Sequence, residues 1–490
     1  MLIISHIRRH PHLLAAMLLL CGLLPFILNL DAYFLSDDFV LLHWTHAVPI
    51  RDVLGFLNPD TDWFYRPIVK LYYWAGQNIF GLRAAPFHAV SIVLHWTTAY
   101  LLYLLIARQV RSNRVVALAA ALFFLLNPYH AETVSWIAAT GDLIAVLCMF
   151  VALLLFHHFW MGNTPIYLAG SLALFAVALL TRETAVVLPV LILLYAVTLL
   201  PNKHGNLPRL AAVLSAYTVI LLMYLLVQVL GRTDGQLLER GGLRFRALHL
   251  DSVMLGVMDY IHGLAPAGHL VAQLPLDTLR GLVWLEWAFI LLLVALQWRT
   301  GQRVMLFGMG WLLITPLLFV FFSPPTDRYF YLPSVGYAIF IAALFNLMLS
   351  LATRLSLPIL RASSKIAVAV MVCLFLVGQA VQLTDRVLTW RSVGHASGGV
   401  IHDVRKSVPN PPDQASFFFV DLPPALGRVP FFQNGLLEAV QLAYGKSTLA
   451  ASSTTCDELQ TSVLPVPSFF FRFKGNGVYP FSSSSDCPRY

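Results

Sequence analysis

Apolar positions in this chain come in long unbroken runs, not in the single stripe of a water-facing helix, and polar residues collect in the gaps between runs. A helix needs about 20 apolar residues to cross a hydrocarbon core of about 30 Å. The pattern predicts spans at roughly 13–30, 86–107, 114–128, 138–158, 165–181, 184–200, 210–230, 282–298, 304–322, 331–350 and 366–384, about eleven helices. Two long connections, 31–85 and 231–281, contain moderately apolar stretches at Ile68 to Gly81 and Val253 to Leu274. These predict amphipathic helices that lie along the outer surface or re-enter it. From about Ser392 the pattern changes, with Pro409, Pro411, Pro412, Pro423 and Pro424 punctuating aromatic runs at Ser416 to Val420 and Ser468 to Phe473. Such runs predict strands. The expected architecture is an all-α polytopic membrane region over 1–390, followed by a small mixed α/β extracytoplasmic domain over 391–490. No repeat of 20–50 residues is visible, so a helical-repeat appendage is not expected.

Composition sharpens the class: 58% of residues are hydrophobic and 11% charged, which excludes an ordinary soluble domain. A net charge of +8 could signal a nucleic-acid partner, but the basic residues sit at the ends of apolar runs. Arg108, Arg111 and Arg114, Lys203 and Arg209, Arg299 and Arg303, and Arg354, Arg361 and Lys365 all fall on one side if the N-terminus is cytoplasmic. No nucleic-acid partner is therefore expected, and an odd number of spans puts the tail outside, in an inner membrane of bacterial type. The first run follows Arg8 and Arg9 and lacks a small-residue cleavage site before Asp31, so it reads as a retained span. Cys21, Cys148 and Cys373 lie in apolar runs, whereas Cys456 and Cys487 lie in the polar tail, where a disulfide is open to them. No metal-type CxxC spacing occurs.

Charge is expensive in so apolar a chain, and the ionisable residues outside the basic loops gather on the outer side. Ser36-Asp37-Asp38-Phe39 follows the first span; a helix cap needs one of these polar residues, and a second carboxylate exceeds that need. Tyr65-Arg66-Pro67 comes next, then His88 at an outer helix mouth and His95 deeper on the same face, where a core histidine is the simpler reading. Asn127-Pro128-Tyr129-His130-Ala131-Glu132 precedes Trp136 and Asp142; Glu132 could equally be a cap. Arg182-Glu183 and Asp327-Arg328-Tyr329-Phe330-Tyr331 put arginines where the positive-inside bias does not want them. An anionic ligand or an interhelical ion pair would each account for Arg182. Arg232, Arg240, Arg244 and Arg246 add a basic stretch that suits a solvated loop or lipid head groups.

These residue types suit sugar transfer from a lipid phosphate. A departing phosphate needs cationic stabilisation, which Arg66, Arg182 and Arg328 could supply through bidentate bonds. An attacking hydroxyl must lose a proton, for which Asp37 is the candidate general base. His88, His130, Glu132, Asp142, Glu183 and Tyr331 complete the expected substrate contacts.

The order Asp37-Asp38, Tyr65-Arg66-Pro67, Phe87-His88, Pro128-Tyr129-His130-Ala131-Glu132, Gly141-Asp142-Leu143, Arg182-Glu183 and Arg328-Tyr329-Phe330-Tyr331-Leu332-Pro333-Ser334 resembles the GT-C glycosyltransferases over roughly 30–395. Within them it is most similar to the transmembrane O-mannosyltransferases of the tetratricopeptide-bearing type, and more distantly to protein O-mannosyltransferases and lipid A aminoarabinose transferases. The resemblance implies a polyprenyl-phosphate-linked sugar donor, an inverting mechanism, Asp37 as base with Asp38 beside it, and Arg182 on the donor phosphate. The acceptor is left open among protein, lipid and glycan. A divalent cation is a candidate cofactor, since some relatives bind one at an acidic site and others need none. The chain departs from the pattern at Asn127 and Thr140 and lacks the repeats. A transporter, or an inactive lipid-binding scaffold, are the competing classes; a transporter would place its ionisable residues near the bilayer midplane.

Overall fold

The computed structural model describes residues 11–59, 65–109, 114–200, 207–230, 250–264, 303–319, 326–461 and 467–483, with single positions at 465, 487 and between 275 and 292. Down to residue 407 the described chain is helical: α1 Pro11–Cys21, α2 Leu24–Ile27, α3 Asp37–Thr45, α4 Pro67–Phe80, α5 Ala84–Gln109, α6 Arg114–Leu125, α7 His130–Ser135 and α8 Thr140–Gly162. It continues through α9 Pro165–Thr181, α10 Leu188–Leu199, α11 Leu207–Leu230, α12 Leu250–Leu264, α13 Arg303–Ile314, α14 Tyr331–Thr353 and α15 Pro358–Ser407. Among the described residues five helices are long and apolar enough to cross a membrane, those within 84–109, 137–162, 207–230, 327–353 and 358–407, and shorter apolar helices stand among them. The chain is an integral membrane protein. The first expected span is broken into α1 and α2, and the stretch expected on the outer surface at Ile68 to Gly81 is α4. The span expected at 282–298 lies almost wholly outside the described residues, as do Arg111, Lys203, Arg232, Arg240, Arg244, Arg246 and Arg299.

The bundle has two chemically different ends. At one, the last turns of α5, α8 and α10 meet through Gln109, which donates to Tyr195 Oη at 2.8 Å, and Tyr195, whose hydroxyl lies 2.9 Å from His157 Nδ1. Arg209, at the start of α11, closes the same end by donating to the Phe159 carbonyl and Asn163 Oδ1, each at 3.0 Å. The opposite end carries α3, α4, α7 and the first turn of α8, and with them Asp37, Asp38, Glu132, Asp142 and Glu183 and the arginines Arg66, Arg182 and Arg328.

The expected boundary at residue 390 is not a break, because α15 runs straight across it for 50 residues. At about 1.5 Å per residue it is about 75 Å long, more than twice what the bilayer core needs. Its first half is apolar and mostly exposed, as a lipid-facing helix should be, while its second half buries a stripe at Gln379, Leu383, Val387, Trp390, Val393, Ser397, Val400 and Val404. The three-and-four spacing of that stripe is the pattern of a helix packed along one face. What it packs against is the charged end of the bundle and the C-terminal domain.

That domain is built on a mixed sheet. β1 Ser416–Val420 pairs in parallel with β4 Ala450–Thr454 and with β5 Ser468–Lys474, and β5 turns back antiparallel to β6 Gly477–Phe481, giving the order β4-β1-β5-β6. A two-residue ribbon, β2 Ala425–Leu426 with β3 Val429–Pro430, leads to α16 Leu436–Tyr444, and α17 Cys456–Thr461 connects β4 to β5. Strand alternation explains the aromatic runs: Phe417, Phe419 and Phe471 join the main core, while Val420 and Phe470 face a second one with Leu459. Cys456 and Cys487 form a disulfide there.

Candidate active site

The first outer loop folds around Asp38. It is 1% exposed, and both of its carboxylate oxygens accept backbone N–H groups, Oδ2 from Leu35 at 2.9 Å and Oδ1 from Ala138 at 2.6 Å. The first bond reaches back three residues to the turn that precedes α3, and Ser36, the residue before the helix, makes no side-chain capping bond to it. The second ties the loop to the turn that opens α8. Burial pushes the Asp38 carboxyl well above the usual range, opposed by these two donors. Asp37, by contrast, is only partly buried, and its Oδ1 accepts from Asn434 Nδ2 at 2.7 Å. Tyr73 of α4 lies fully buried nearby; burial and the fields of Asp38 and Asp37 raise its phenol far above its usual value.

Four residues beyond Ala138, Asp142 opens a chain of alternating charge. Arg182 Nε lies 2.9 Å from Asp142 Oδ1 and 4.0 Å from Glu183 Oε2, and Glu183 is gripped by Arg66 through two bonds of 3.0 and 2.9 Å. Two parallel N–H donors on one carboxylate are the strong form of the Arg–carboxylate pair. Local structure puts each group there: Pro67 starts α4 and fixes Arg66 before its first turn, and α9 ends at Thr181, so Arg182 leaves the helix in extended conformation. On the other side of Asp142, Glu132 of α7 is 8% exposed and stands 3.8 Å from Arg328 Nε. Burial pushes Glu132 up to about 7, with Arg328 pulling the other way. The Arg328 guanidinium lies 5.1 Å from the Trp136 ring centre and 5.4 Å from that of Tyr329, and its buried Nε makes no hydrogen bond among the described residues.

The structure therefore brings together Arg66, Arg182, Arg328, Glu132, Asp142 and Glu183, with Asp38 joined to them through Ala138. It does not bring His88, His130 or Tyr331 into that cluster. His88 is buried between Asn29 and the Ala32 carbonyl, each at 3.3 Å. His130 points into the bundle, its Nε2 2.7 Å from Ser334 Oγ, and Tyr331 Oη lies 3.0 Å from Nδ1 of His95. These rings satisfy polar groups inside an apolar bundle, as buried polar side chains must. The ion pairs of Arg182 and Arg66 are the arrangement that competes with an anionic ligand for their charge. No three His, Cys, Asp or Glu residues converge to hold a metal ion among the described residues. Sequence reading missed Asn434, which sits in a Gln-Asn-Gly stretch that signals only a turn.

A family model described as dolichyl-phosphate-mannose-protein mannosyltransferase matches residues 65–230, about a third of the chain. That stretch holds Arg66, Glu132, Asp142, Arg182 and Glu183, and leaves Asp37, Arg328 and the tail outside. Protein O-mannosyl-transferase TMTC1 of Homo sapiens is 30% identical over 152 residues, 29% of this chain and 17% of that protein. Tmtc1 of Drosophila melanogaster is 27% identical over 180 residues, covering 34% of this chain and 21% of the relative. The matched region is thus a small part of the relatives' length. Among solved structures the chain is distantly similar to ArnT from Cupriavidus metallidurans bound to undecaprenyl phosphate, with a TM-score of 0.49 and 13% identity over 89% of this chain and 85% of that one. Over residues 65–230 the family match and the TMTC1 relatives agree with the resemblance to O-mannosyltransferases carried by the motif order.

Proposed function

We propose that the protein is an inverting glycosyltransferase that moves a sugar, mannose or a similar hexose, from polyprenyl phosphate to an acceptor hydroxyl outside the cytoplasm. The observation that carries this reading is the gathering of three arginines and three carboxylates, from segments spread between Arg66 and Arg328, at the same bundle end as the Asp37–Asp38 loop. In the reaction, Asp37 accepts the proton of the attacking hydroxyl as its oxygen bonds to the anomeric carbon. The bond from that carbon to the phosphate oxygen breaks on the opposite face, and the polyprenyl phosphate leaves with the electron pair, inverting the centre.

The developing charge on the leaving phosphate calls for donors already in place. Arg328 suits this best, because its buried Nε makes no hydrogen bond among the described residues while two aromatic faces hold the guanidinium. Arg182 and Arg66 stand in the same cluster, held by Asp142 and Glu183, and meet a phosphate by exchanging those pairs for it. Asp38 takes a positioning role, since it is buried from any acceptor hydroxyl and its oxygens hold the Leu35 and Ala138 N–H groups. The match of 65–230 to a mannosyltransferase family supports the donor class. A tail carrying a disulfide supports an oxidising compartment on that side, which is the extracytoplasmic face.

The test is transfer of radiolabelled hexose from undecaprenyl phosphate to a cell-envelope extract by the purified chain. Asp37→Asn should abolish transfer and Arg328→Ala should raise the donor KM and lower kcat; full activity in Asp37→Asn would remove the mechanism.

A further inference from the structure

The segment 431–435 of the C-terminal domain runs beside the loop that carries Asp37. Ser36 N–H donates to the Phe431 carbonyl at 3.0 Å, and Asn434 N–H donates to Ser36 Oγ at 3.3 Å. The Phe432 ring stacks on Phe39 with centroids 5.9 Å apart and planes 9° apart. Gly435 comes so close that a Cβ there would stand 2.4 Å from the Ser36 carbonyl oxygen, and its φ of +82° also favours glycine. Between these contacts Ser36 holds a φ of 44° and ψ of −114°, a conformation that residues with a side chain avoid unless their surroundings impose it. The tail thus sets the backbone immediately before Asp37.

The last contact reaches the carboxylate itself, from Asn434 Nδ2 to Asp37 Oδ1 at 2.7 Å. Asn434 is exposed and Asp37 only half-buried, so water could satisfy both and burial does not require the bond. Its consequence is orientation. A carboxylate held at Oδ1 by a planar amide has Oδ2 turned in a fixed direction, which is what a general base needs to meet a hydroxyl within hydrogen-bond reach.

We propose that Asn434 is a positioning residue for the transfer reaction and that the C-terminal domain thereby completes the catalytic site. The inference rests on Asp37 being the base. Asn434 does not touch the reacting atoms; it acts through Asp37.

The test uses the full chain in lipid nanodiscs, a panel of undecaprenyl-phosphate hexoses as donors and a cell-envelope extract as acceptor. Asn434→Ala should lower kcat about tenfold, the loss of one hydrogen bond to a charged group, with donor KM unchanged. Asn434→Asp keeps the shape but replaces a donor with a second carboxylate. It should lower kcat further, about a hundredfold at neutral pH, and recover as the pH falls and the two carboxyls share a proton. A residue needed only for packing would give the reverse order, with the isosteric Asn434→Asp nearer wild type and no pH-dependent recovery, and that result overturns the proposal. Wild-type kcat in both variants beside an inert Asp37→Asn also overturns it, while leaving Asp37 as the base. Activity in Asp37→Asn, or a wild-type chain inert on every donor of the panel, removes both readings. Should Asn434→Ala fail to fold, the pH profile of Asn434→Asp decides alone.

Discussion

At the scale of single residues, the decisive feature of the site is that its charges neutralise one another before any substrate arrives. Glu132 is the adjustable member. Its carboxyl, pushed up to about 7 by burial, binds a proton below that pH and loses it above. Loss puts a negative charge 3.8 Å from Arg328 Nε, where it competes with the donor phosphate. The donor KM should therefore rise as pH climbs through about 7, and Glu132→Gln should keep the low value across the range; a wild-type profile flat from pH 6 to 8 would falsify this role. The same shift, from 4.5 to about 7, means that the folded chain keeps a proton the unfolded chain releases. Its contribution to stability falls between those values and is constant above them. Arg182 is 7% exposed and paired with Asp142, so removing either partner alone strands a buried charge, at a cost of about 3 to 5 kcal/mol. Replacing both, as in Arg182→Leu with Asp142→Leu, should restore most of the thermal midpoint. If Arg182 also serves the donor phosphate, undecaprenyl phosphate binding, followed by calorimetry, should stay weak in the double variant; recovery of both would confine the pair to structure.

At the scale of elements, what could be read in advance follows from which signals are local. Apolar length located α5, α8, α11 and α14, and turn residues with aromatic alternation located β1 and β5. The outer arginines and carboxylates stood out because charge beside a membrane is rare enough to notice one residue at a time. The roles of His88 and His130 were not legible, because a histidine at a helix mouth carries the same local signature whether it faces a substrate or, as here, Asn29 and Ser334. The second half of α15 was also hidden: Gly394, Gly398 and Gly399 are poor helix formers, and only the tertiary stripe they pack along holds them helical. Gly394 is there for closeness. A Cβ at that position would stand 3.0 Å from Tyr33 N and 2.9 Å from Ala32 Cβ, so α15 lies directly against the loop that leads to Asp37. Gly394→Val should push that loop away. Transfer should fall at least tenfold while helicity by circular dichroism stays unchanged, whereas Gly378→Val, which meets nothing within 4 Å, should leave transfer intact.

At the scale of the whole molecule, the separation of its two ends bears on which class of protein this is and which way it faces. A transporter needs its ionisable groups where both sides of the membrane can reach them in turn, near the midplane. Here the alternating charges from Arg66 to Arg328 lie at one end of the helices, and Arg209 with Gln109 closes the other. Arg108, Arg114, Arg209, Arg354 and Arg361 lie at or beside helix ends joined by short connections and Arg303 opens α13, positions for which the positive-inside rule favours the cytoplasmic side. α15 starts in that basic region and delivers the sheet domain to the opposite side, where Arg391 grips Asp31 and Asp403 accepts the Val478 N–H at 3.2 Å. The C-terminal domain and the Asp37 loop therefore share one side, and the proposed lipid-linked donor calls for that side, with its disulfide, to lie outside the cytoplasm. In intact spheroplasts, a membrane-impermeant maleimide applied after reduction should label Cys456 and Cys487, in a background where Cys21, Cys148 and Cys373 are replaced. A cysteine placed at Arg354 should react only after permeabilisation. Labelling in the opposite order would turn the charged end toward the cytoplasm, where nucleotide sugars are at hand and the case for a lipid-linked donor loses its physical basis.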